Sequence, residues 1–417
     1  NFRPNLLVRL VTDTCLLFKK PTNSEYLENL IDAAHFARNG RKDLAEWLLN
    51  TAIETSKNKS TEFLTALCIY ANYLERTKRP VKARNTFKKA IKSIENFDSA
   101  FQEIPGSKNI VYVHNSKVIG GSFVFKTGDD TEEIRSEHAK TEFVYNTMGN
   151  SRKRFVAPLA LVEIDGRTFS VTKRVGNASL KEHIDNRDFD IARGAARKGL
   201  ESVLLLHLKT SGDLESARKA VGEEDICDFA EKKILRNIAM QPYSNPEDTE
   251  LAKGIYSVSR GINSFRGVAH RDFHPGNLII NQKGEVCIID IEKATVGVPY
   301  LDVVMLADNY RTRNIFNEES EREDLFSEYC RNALDAGAVR SFESAMRSMH
   351  LSGVLQNLVL FYRAKIIGGT EEHDKVMAHH TERCIGHLTY LEGFYSGNTL
   401  RGLKSFKKTL EKRFRNA

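Results

Sequence analysis

One stretch leaves this chain few choices of fold. It runs Val268-Ala-His-Arg-Asp-Phe-His-Pro-Gly-Asn-Leu-Ile-Ile280 and, after the turn Asn281-Gln-Lys-Gly284, resumes as Glu285-Val-Cys-Ile-Ile-Asp-Ile-Glu292. Two short apolar runs joined by a glycine-containing turn predict a β-hairpin. Ahead of them, Phe273-His-Pro-Gly276 predicts a tight loop, because proline fixes one dihedral and glycine supplies positive φ. Asn277 opens the first strand of this hairpin and Asp290 closes the second, so the two sit side by side. Two oxygen donors in that position suit a hard cation such as Mg2+.

Asp272 lies five residues before Asn277. Phosphoryl transfer needs metal charge neutralisation, an in-line hydroxyl and a carboxylate that takes or orients the hydroxyl proton. Asp272 is placed for the last of these. His270-Arg-Asp-x-x-x-x-Asn277, with Asp290 on the following hairpin, matches the catalytic loop of protein-kinase-like enzymes.

His270-Arg-Asp-Phe-His-Pro-Gly-Asn277, Ile289-Asp-Ile-Glu-Lys-Ala294 and Gly297-Val-Pro-Tyr-Leu-Asp302 together resemble the aminoglycoside phosphotransferase and choline kinase branch of the kinase fold. That branch usually writes His-Gly-Asp-x-His-Pro-x-Asn, then Ile-Asp-Phe or Ile-Asp-Trp, then Gly-Asp-Pro-x-x-Asp-Leu. Arg271 departs from the usual glycine and is the protein-kinase spelling. The resemblance implies an α+β, bilobal protein-kinase-like fold with a small β-rich N-lobe and a helical C-lobe. It also implies ATP- and Mg2+-dependent phosphorylation of a hydroxyl group on a small molecule. Only eleven residues separate Asp290 from Asp302, too few for a long activation segment ending in Ala-Pro-Glu. A regulated protein kinase is therefore disfavoured, and Arg271 has no obvious phosphate to read.

The same resemblance assigns a nucleotide half. Phe123-Val-Phe-Lys126 fits the lysine strand, with Lys126 directed at the nucleotide, while a Gly-x-Gly-x-x-Gly loop is absent near Gly120 and Gly121. The helix expected over Glu132–Met148 should supply a glutamate to fix the lysine ammonium. Family spacing favours Glu142, with Glu137 as runner-up. Backbone groups from Thr172 to Val175, hence Lys173 and Val175, would meet the adenine edge, and Ser179 would sit near the cap of the helix that follows. His274, Glu292 and Arg363 are candidates for substrate contact, Glu292 lying two residues beyond Asp290 on the same predicted strand. His207 and His270 are expected to be structural, and Asp302 is expected to cap its own helix through local backbone bonds. The acidic runs Glu223-Glu-Asp225 and Glu318–Asp324 are either solvated helix faces or a field for a cationic substrate.

Upstream, residues 1–98 read as a helical, tetratricopeptide-like region. Ala33, Phe36, Ala45, Leu49 and Ala52 are echoed at Ala71, Leu74, Ala83, Phe87 and Ala90, each displaced by 38. Such a unit suits docking of a protein partner or self-association; the other reading of the same pattern is a helical extension packed on the catalytic domain. Phe97–Ser107 reads as a linker. The N-lobe is expected over 108–175, the C-lobe over 176–400 and a basic helix over 401–417.

The net charge of +7 gathers at the two ends: residues 1–100 carry 17 Lys and Arg against 11 Asp and Glu, and residues 401–417 carry 7 against 1. Solvated helix faces account for such a pattern, and nucleic acid is not the expected partner. No apolar run is long enough for a membrane span. Six scattered cysteines without a Cys-x-x-Cys pair suit reduced thiols in the cytoplasm. The competing function is a kinase-like scaffold that keeps nucleotide for structure; the joint presence of Lys126, Asp272, Asn277 and Asp290 weighs against it.

Overall fold

The computed structural model describes residues 46, 49–50, 102–104, 110–114, 123–164, 167–176, 178–235, 246–262, 265–281, 283–316, 318–367 and 370–415. The chain divides into two units, Asn1–Glu142 with Val156–Val175, and Phe143–Phe155 with Gly176–Ala417. The α+β, two-unit organisation expected of a kinase-like chain is the one found, with the five-stranded sheet in the first unit and most helices in the second. The tetratricopeptide-like region and the Gly120-Gly121 pair lie outside the described residues, apart from Glu46, Leu49 and Asn50.

The first unit is an antiparallel sheet of β1 (Gln102–Ile104), β2 (Ile110–His114), β3 (Phe123–Thr127), β4 (Pro158–Ile164) and β5 (Arg167–Lys173), in the order β1-β2-β3-β5-β4. The expected linker thus contains a strand: β1 pairs with β2 from Gln102 opposite Val113 to Ile104 opposite Val111. Strand alternation sorts β3. Phe125 and Thr127 are buried on one face, and Lys126 leaves on the other. Ser170 of β5 stands opposite Lys126, so both side chains share a face. Helix α1 (Thr131–Met148) presents Ile134, Glu137, His138 and Thr141 as a buried stripe at helical spacing. Its His138 Nδ1 is 3.0 Å from Ser170 Oγ.

The second unit is built on α3 (Phe189–Ser211), which follows β6 (Ala178–Ser179) and α2 (Leu180–Asp185). Ser179 closes a capping box with Glu182 at the start of α2. Then come α4 (Leu214–Val221), α5 (Ile226–Ala230), α6 (Pro246–Gly261), β7 (Gly267–Ala269), β8 (Leu278–Ile280), β9 (Val286–Ile288) and β10 (Thr295–Gly297). The chain ends with α7 (Tyr300–Ala307), α8 (Glu319–Asp335), α9 (Phe342–Ile367), α10 (Glu371–Leu391) and α11 (Gly397–Arg415). The hairpin β8–β9 carries β6 on its outer edge, and β10 pairs antiparallel with β7. β7 docks on the end of α3 with almost no gap. A Cβ at Gly267 would stand 2.6 Å from the His207 carbonyl oxygen, so only glycine fits, and Thr210 Oγ accepts the next N–H, from Val268, at 2.8 Å. That approach fixes where the loop after β7 begins. On α11, Leu403, Phe406 and Leu410 are buried, as a helix docked by one apolar stripe requires. Among the described residues no helix is long and apolar enough to cross a membrane.

Candidate active site

The loop His270–Asn277 joins β7 to β8, and its shape is set by a carboxylate from another element. Asp302, fully buried in the first turn of α7, accepts from the His270 N–H at 2.6 Å and the Arg271 N–H at 2.8 Å. His207 Nε2 donates to the same carboxylate at 3.0 Å, while the Tyr329 hydroxyl donates to His207 Nδ1 at 2.7 Å. Burial pushes the Asp302 carboxyl up, but the hydrogen bonds and charge around it outweigh burial and hold it below the usual carboxylate range. The expectation that Asp302 caps its own helix is corrected here. α7 has Pro299 at its N-cap and no side-chain cap; the Asp302 oxygens are spent on the loop.

Four further side-chain bonds shape the loop. His270 Nδ1 accepts from the Asp272 N–H at 3.3 Å and its Nε2 donates to the Ile289 carbonyl at 2.9 Å, tying the loop to the segment that carries Asp290. His274 Nδ1 caps the turn Pro275–Asn277 by accepting from the Gly276 N–H at 3.0 Å. Asn277 Nδ2 donates to the Asp272 carbonyl at 2.9 Å. That bond commits the amide nitrogen, so the side-chain oxygen is the Asn277 atom that could ligate a cation. Ile289 N donates to the Asn277 carbonyl at 3.0 Å, so the hairpin register does bring Asn277 alongside the residues that lead into Asp290.

Strand β9 ends at Ile288, before Asp290, which takes φ +61. Glu292 is therefore not on a shared strand face with Asp290, contrary to the alternation argument. The turn nevertheless brings an oxygen of each carboxylate within 4.8 Å of the other. Asn277, Asp290 and Glu292 offer oxygen ligands only, the donor set a Mg2+-type ion prefers.

Asp272 is mostly buried and its two oxygens face different neighbours. Oδ2 is 2.5 Å from Lys293 Nζ, and Oδ1 is 3.9 Å from His274 Nε2. Burial holds the His274 ring below the usual imidazole range, against the opposing pull of Asp272. Arg271 takes φ +68, which gives a physical reason for glycine being usual there. Its guanidinium pairs with Glu224 and lies over the Phe229 ring at 4.2 Å.

In the first unit, Lys126 Nζ is 2.7 Å from Glu137 Oε2, with both side chains largely buried. The glutamate that meets the lysine here is Glu137, the second of the two candidates. Five residues further along a helix is about 140° around its axis, which turns Glu142 off the stripe that faces the sheet. Lys173 closes β5, its N–H bonded to the Ala157 carbonyl at 3.0 Å, and Val175 follows two residues beyond. Arg363 is exposed on α9, and among the described residues no hydrogen bond or ion pair joins it to the loop.

Most carboxylates of the acidic runs are paired, while Glu318 and Asp324 are exposed. Glu223 pairs with Arg218 and Arg266, Asp225 with Arg266, Glu319 with Arg322 and Arg383, Glu321 with Arg193 and Glu323 with His350. Sequence reasoning passed over the Lys293–Asp272 and Glu224–Arg271 pairs and the loop-holding role of Asp302. For Asp302 the motif Gly297–Asp302 was a usable signal; Lys293 and Glu224 carried none, because each is defined by a partner distant in sequence.

A model of the phosphotransferase enzyme family matches residues 213–340, which include the whole stretch from His270 to Asp302. No curated protein sequence matches the chain. Among solved structures the chain is similar to an ethanolamine kinase of Plasmodium vivax, at 14% identity over 75% of this chain and 93% of that one, with a TM-score of 0.47. It is similar to a choline kinase of Streptococcus pneumoniae at 16% identity over 70% and 93%, TM-score 0.46. A third similar structure is an aminoglycoside phosphotransferase of Alicyclobacillus acidocaldarius, at 13% over 77% and 95%, TM-score 0.44.

Proposed function

We propose that this chain is an ATP- and Mg2+-dependent phosphotransferase that phosphorylates a hydroxyl group of a small molecule, with Asp272 as the base. The observation that carries the reading is the loop itself: Asp272 and Asn277 are joined by the 2.9 Å amide–carbonyl bond and tied by His270 to the segment of Asp290. The match of the phosphotransferase family model to residues 213–340 supports the same reaction class.

In this reading the Lys126 ammonium, fixed by Glu137, holds nucleotide phosphates, and the backbone at Lys173 and Val175 meets the adenine. Asn277, Asp290 and Glu292 would hold the cation, which supplies charge neutralisation on the phosphates. The acceptor oxygen attacks the γ-phosphorus, the bond to the β–γ bridging oxygen breaks, ADP leaves, and the hydroxyl proton passes to Asp272. His274, beside Asp272, is a substrate-facing candidate. Residues 1–98, by their repeat spacing, are proposed to dock a protein partner or a second copy, and the free thiols Cys227, Cys287, Cys330 and Cys384 suit a cytoplasmic location.

The test is ADP release over a panel of hydroxylated metabolites, with nucleotide binding measured separately. Asp272→Ala is expected to bind Mg-ATP as the parent does and to lose transfer by about 10²-fold or more. Full transfer by that variant overturns the role of Asp272. A silent panel with tight ATP binding by the parent favours the scaffold.

A further inference from the structure

Asp272 is bordered by a positive charge on its more exposed side. Lys293 Nζ lies 2.5 Å from Asp272 Oδ2, and the lysine side chain is about half exposed (49%) where the aspartate is not (15%). The lysine comes from a tight turn, closed by the Ala294 N–H on the Ile291 carbonyl at 3.0 Å, between Asp290 and β10. Its backbone is therefore as fixed as the site it borders. An acceptor hydroxyl must come within roughly 3 Å of an Asp272 oxygen to pass its proton. It then lies about one small substituent away from the lysine ammonium.

A second observation points the same way. A site built for amines needs uncommitted carboxylates, and the acidic run beside the loop does not supply them. Glu223 and Asp225 are paired with Arg266, and Glu224 with Arg271. Asp290 and Glu292 are assigned to the cation in the reading above. His274, on the other side of Asp272, adds no cationic pull of its own, its ring being held below the usual imidazole range by burial.

We propose that Lys293 is a specificity-determining residue that selects hydroxylated anions, small acceptors carrying a carboxylate or phosphate next to the hydroxyl that is phosphorylated. The inference rests on the phosphotransferase reading and deepens it. Before the acceptor arrives, the ammonium neutralises Asp272. When it arrives, the ammonium pairs with the acceptor's anionic group, and Oδ2 is released to take the hydroxyl proton. A cationic acceptor cannot make that exchange and meets the lysine as a like charge.

The experiment uses the full chain with Mg-ATP and matched acceptors on three-, four- and six-carbon skeletons. Each skeleton is offered as the neutral alcohol, the hydroxy acid, the phosphate ester and the amine. The expected result is a kcat/KM for the acid or the ester about tenfold or more above that of the matching amine; whichever of the two leads identifies the source of the anion. Lys293→Met should narrow that preference mainly through KM, Lys293→Glu should reverse it, and Lys293→Arg should preserve it. Amines phosphorylated as well as the anions overturn the inference and leave the phosphotransferase reading standing. So does a Lys293→Met variant that loses acid, alcohol and amine activity in equal proportion, since that marks Lys293 as a mere support of Asp272. No ADP release with any member overturns the phosphotransferase reading, and this inference with it.

Discussion

Replacing Asp302 tests the architecture of the loop more directly than replacing any residue that would touch substrate. In Asp302→Ala three donors lose their acceptor at once: the His270 N–H, the Arg271 N–H and His207 Nε2. Asp302, His207 and His270 are fully buried, so water does not readily replace the carboxylate. An unsatisfied buried donor costs about 1–3 kcal/mol, and removing one partner of a buried charged network typically costs about 3–5 kcal/mol. About 3–5 kcal/mol is expected here, of which roughly 0.3–1 kcal/mol is the lost favourable charge at the start of α7. Set against a typical total of ~5–15 kcal/mol, the variant should still fold. Asp302→Asn keeps one acceptor oxygen but turns an amide N–H2 toward remaining donors, and about half the loss is expected. Urea unfolding followed by circular dichroism gives both values, and ADP release from protein shown to be folded gives the effect on activity. Because the same bonds position Asp272, activity should fall by about 10²-fold, beyond any loss of folded protein. A destabilisation below about 1 kcal/mol, or full activity in folded Asp302→Ala, refutes the argument that this carboxylate holds the loop.

Two other outcomes follow from the geometry. Glu137→Gln is expected to raise the KM for ATP about tenfold or more, while Glu142→Gln leaves it within about twofold; equal effects would contradict the helix-face argument. The second concerns acid. Burial carries the His380 imidazole down to about 3, and its Nδ1 is 2.8 Å from the Asn357 side-chain oxygen. A lowered folded value means that the unfolded chain binds more protons between about 3 and about 6.5, so stability present above pH ~6.5 drains away as pH falls through that window. Denaturant midpoints should decline from pH 7 to pH 5, less steeply in His380→Asn; a flat profile for the parent is the contrary result.

How much of this was legible beforehand divides along a physical line. The hairpin, the lysine strand, α1 and the cap at Ser179 are local, written in apolar alternation, turn glycine and capping residues, and they read correctly. Whatever depends on which way a side chain faces after two elements pack was less accessible. Spacing favoured Glu142 because spacing counts residues, whereas the helix presents Glu137 at 2.7 Å from Lys126. Glu292 was placed by extending a strand through Asp290, whereas the strand ends at Ile288 and Asp290 is left-handed. Asp302 was assigned to the nearest backbone, whereas its partners lie about thirty residues upstream. The acidic runs were visible as charge, but several of the arginines that pair with them, Arg266, Arg271, Arg193 and Arg383, are distant in sequence.

Arg271 brings these strands of argument together. A residue with a Cβ in the left-handed region costs roughly 1–2 kcal/mol, which glycine avoids, so an arginine at φ +68 needs something to hold it. Glu224 and the Phe229 face provide it, the stacking alone being worth about 0.5–2 kcal/mol. Glu224 is itself anchored by backbone: its N–H donates to the Val296 carbonyl at 2.9 Å, and the Val296 N–H donates to the Gly222 carbonyl at 2.9 Å. Val296 stands opposite Val268 in β7, the strand that leads into the loop. The carboxylate facing Arg271 is therefore carried on the same small sheet that launches the loop. The short path from Asp290 to Asp302 leaves no room for a segment that could bring a phosphate to this arginine. Its charge is answered by Glu224, a group that the fold itself brings to the loop.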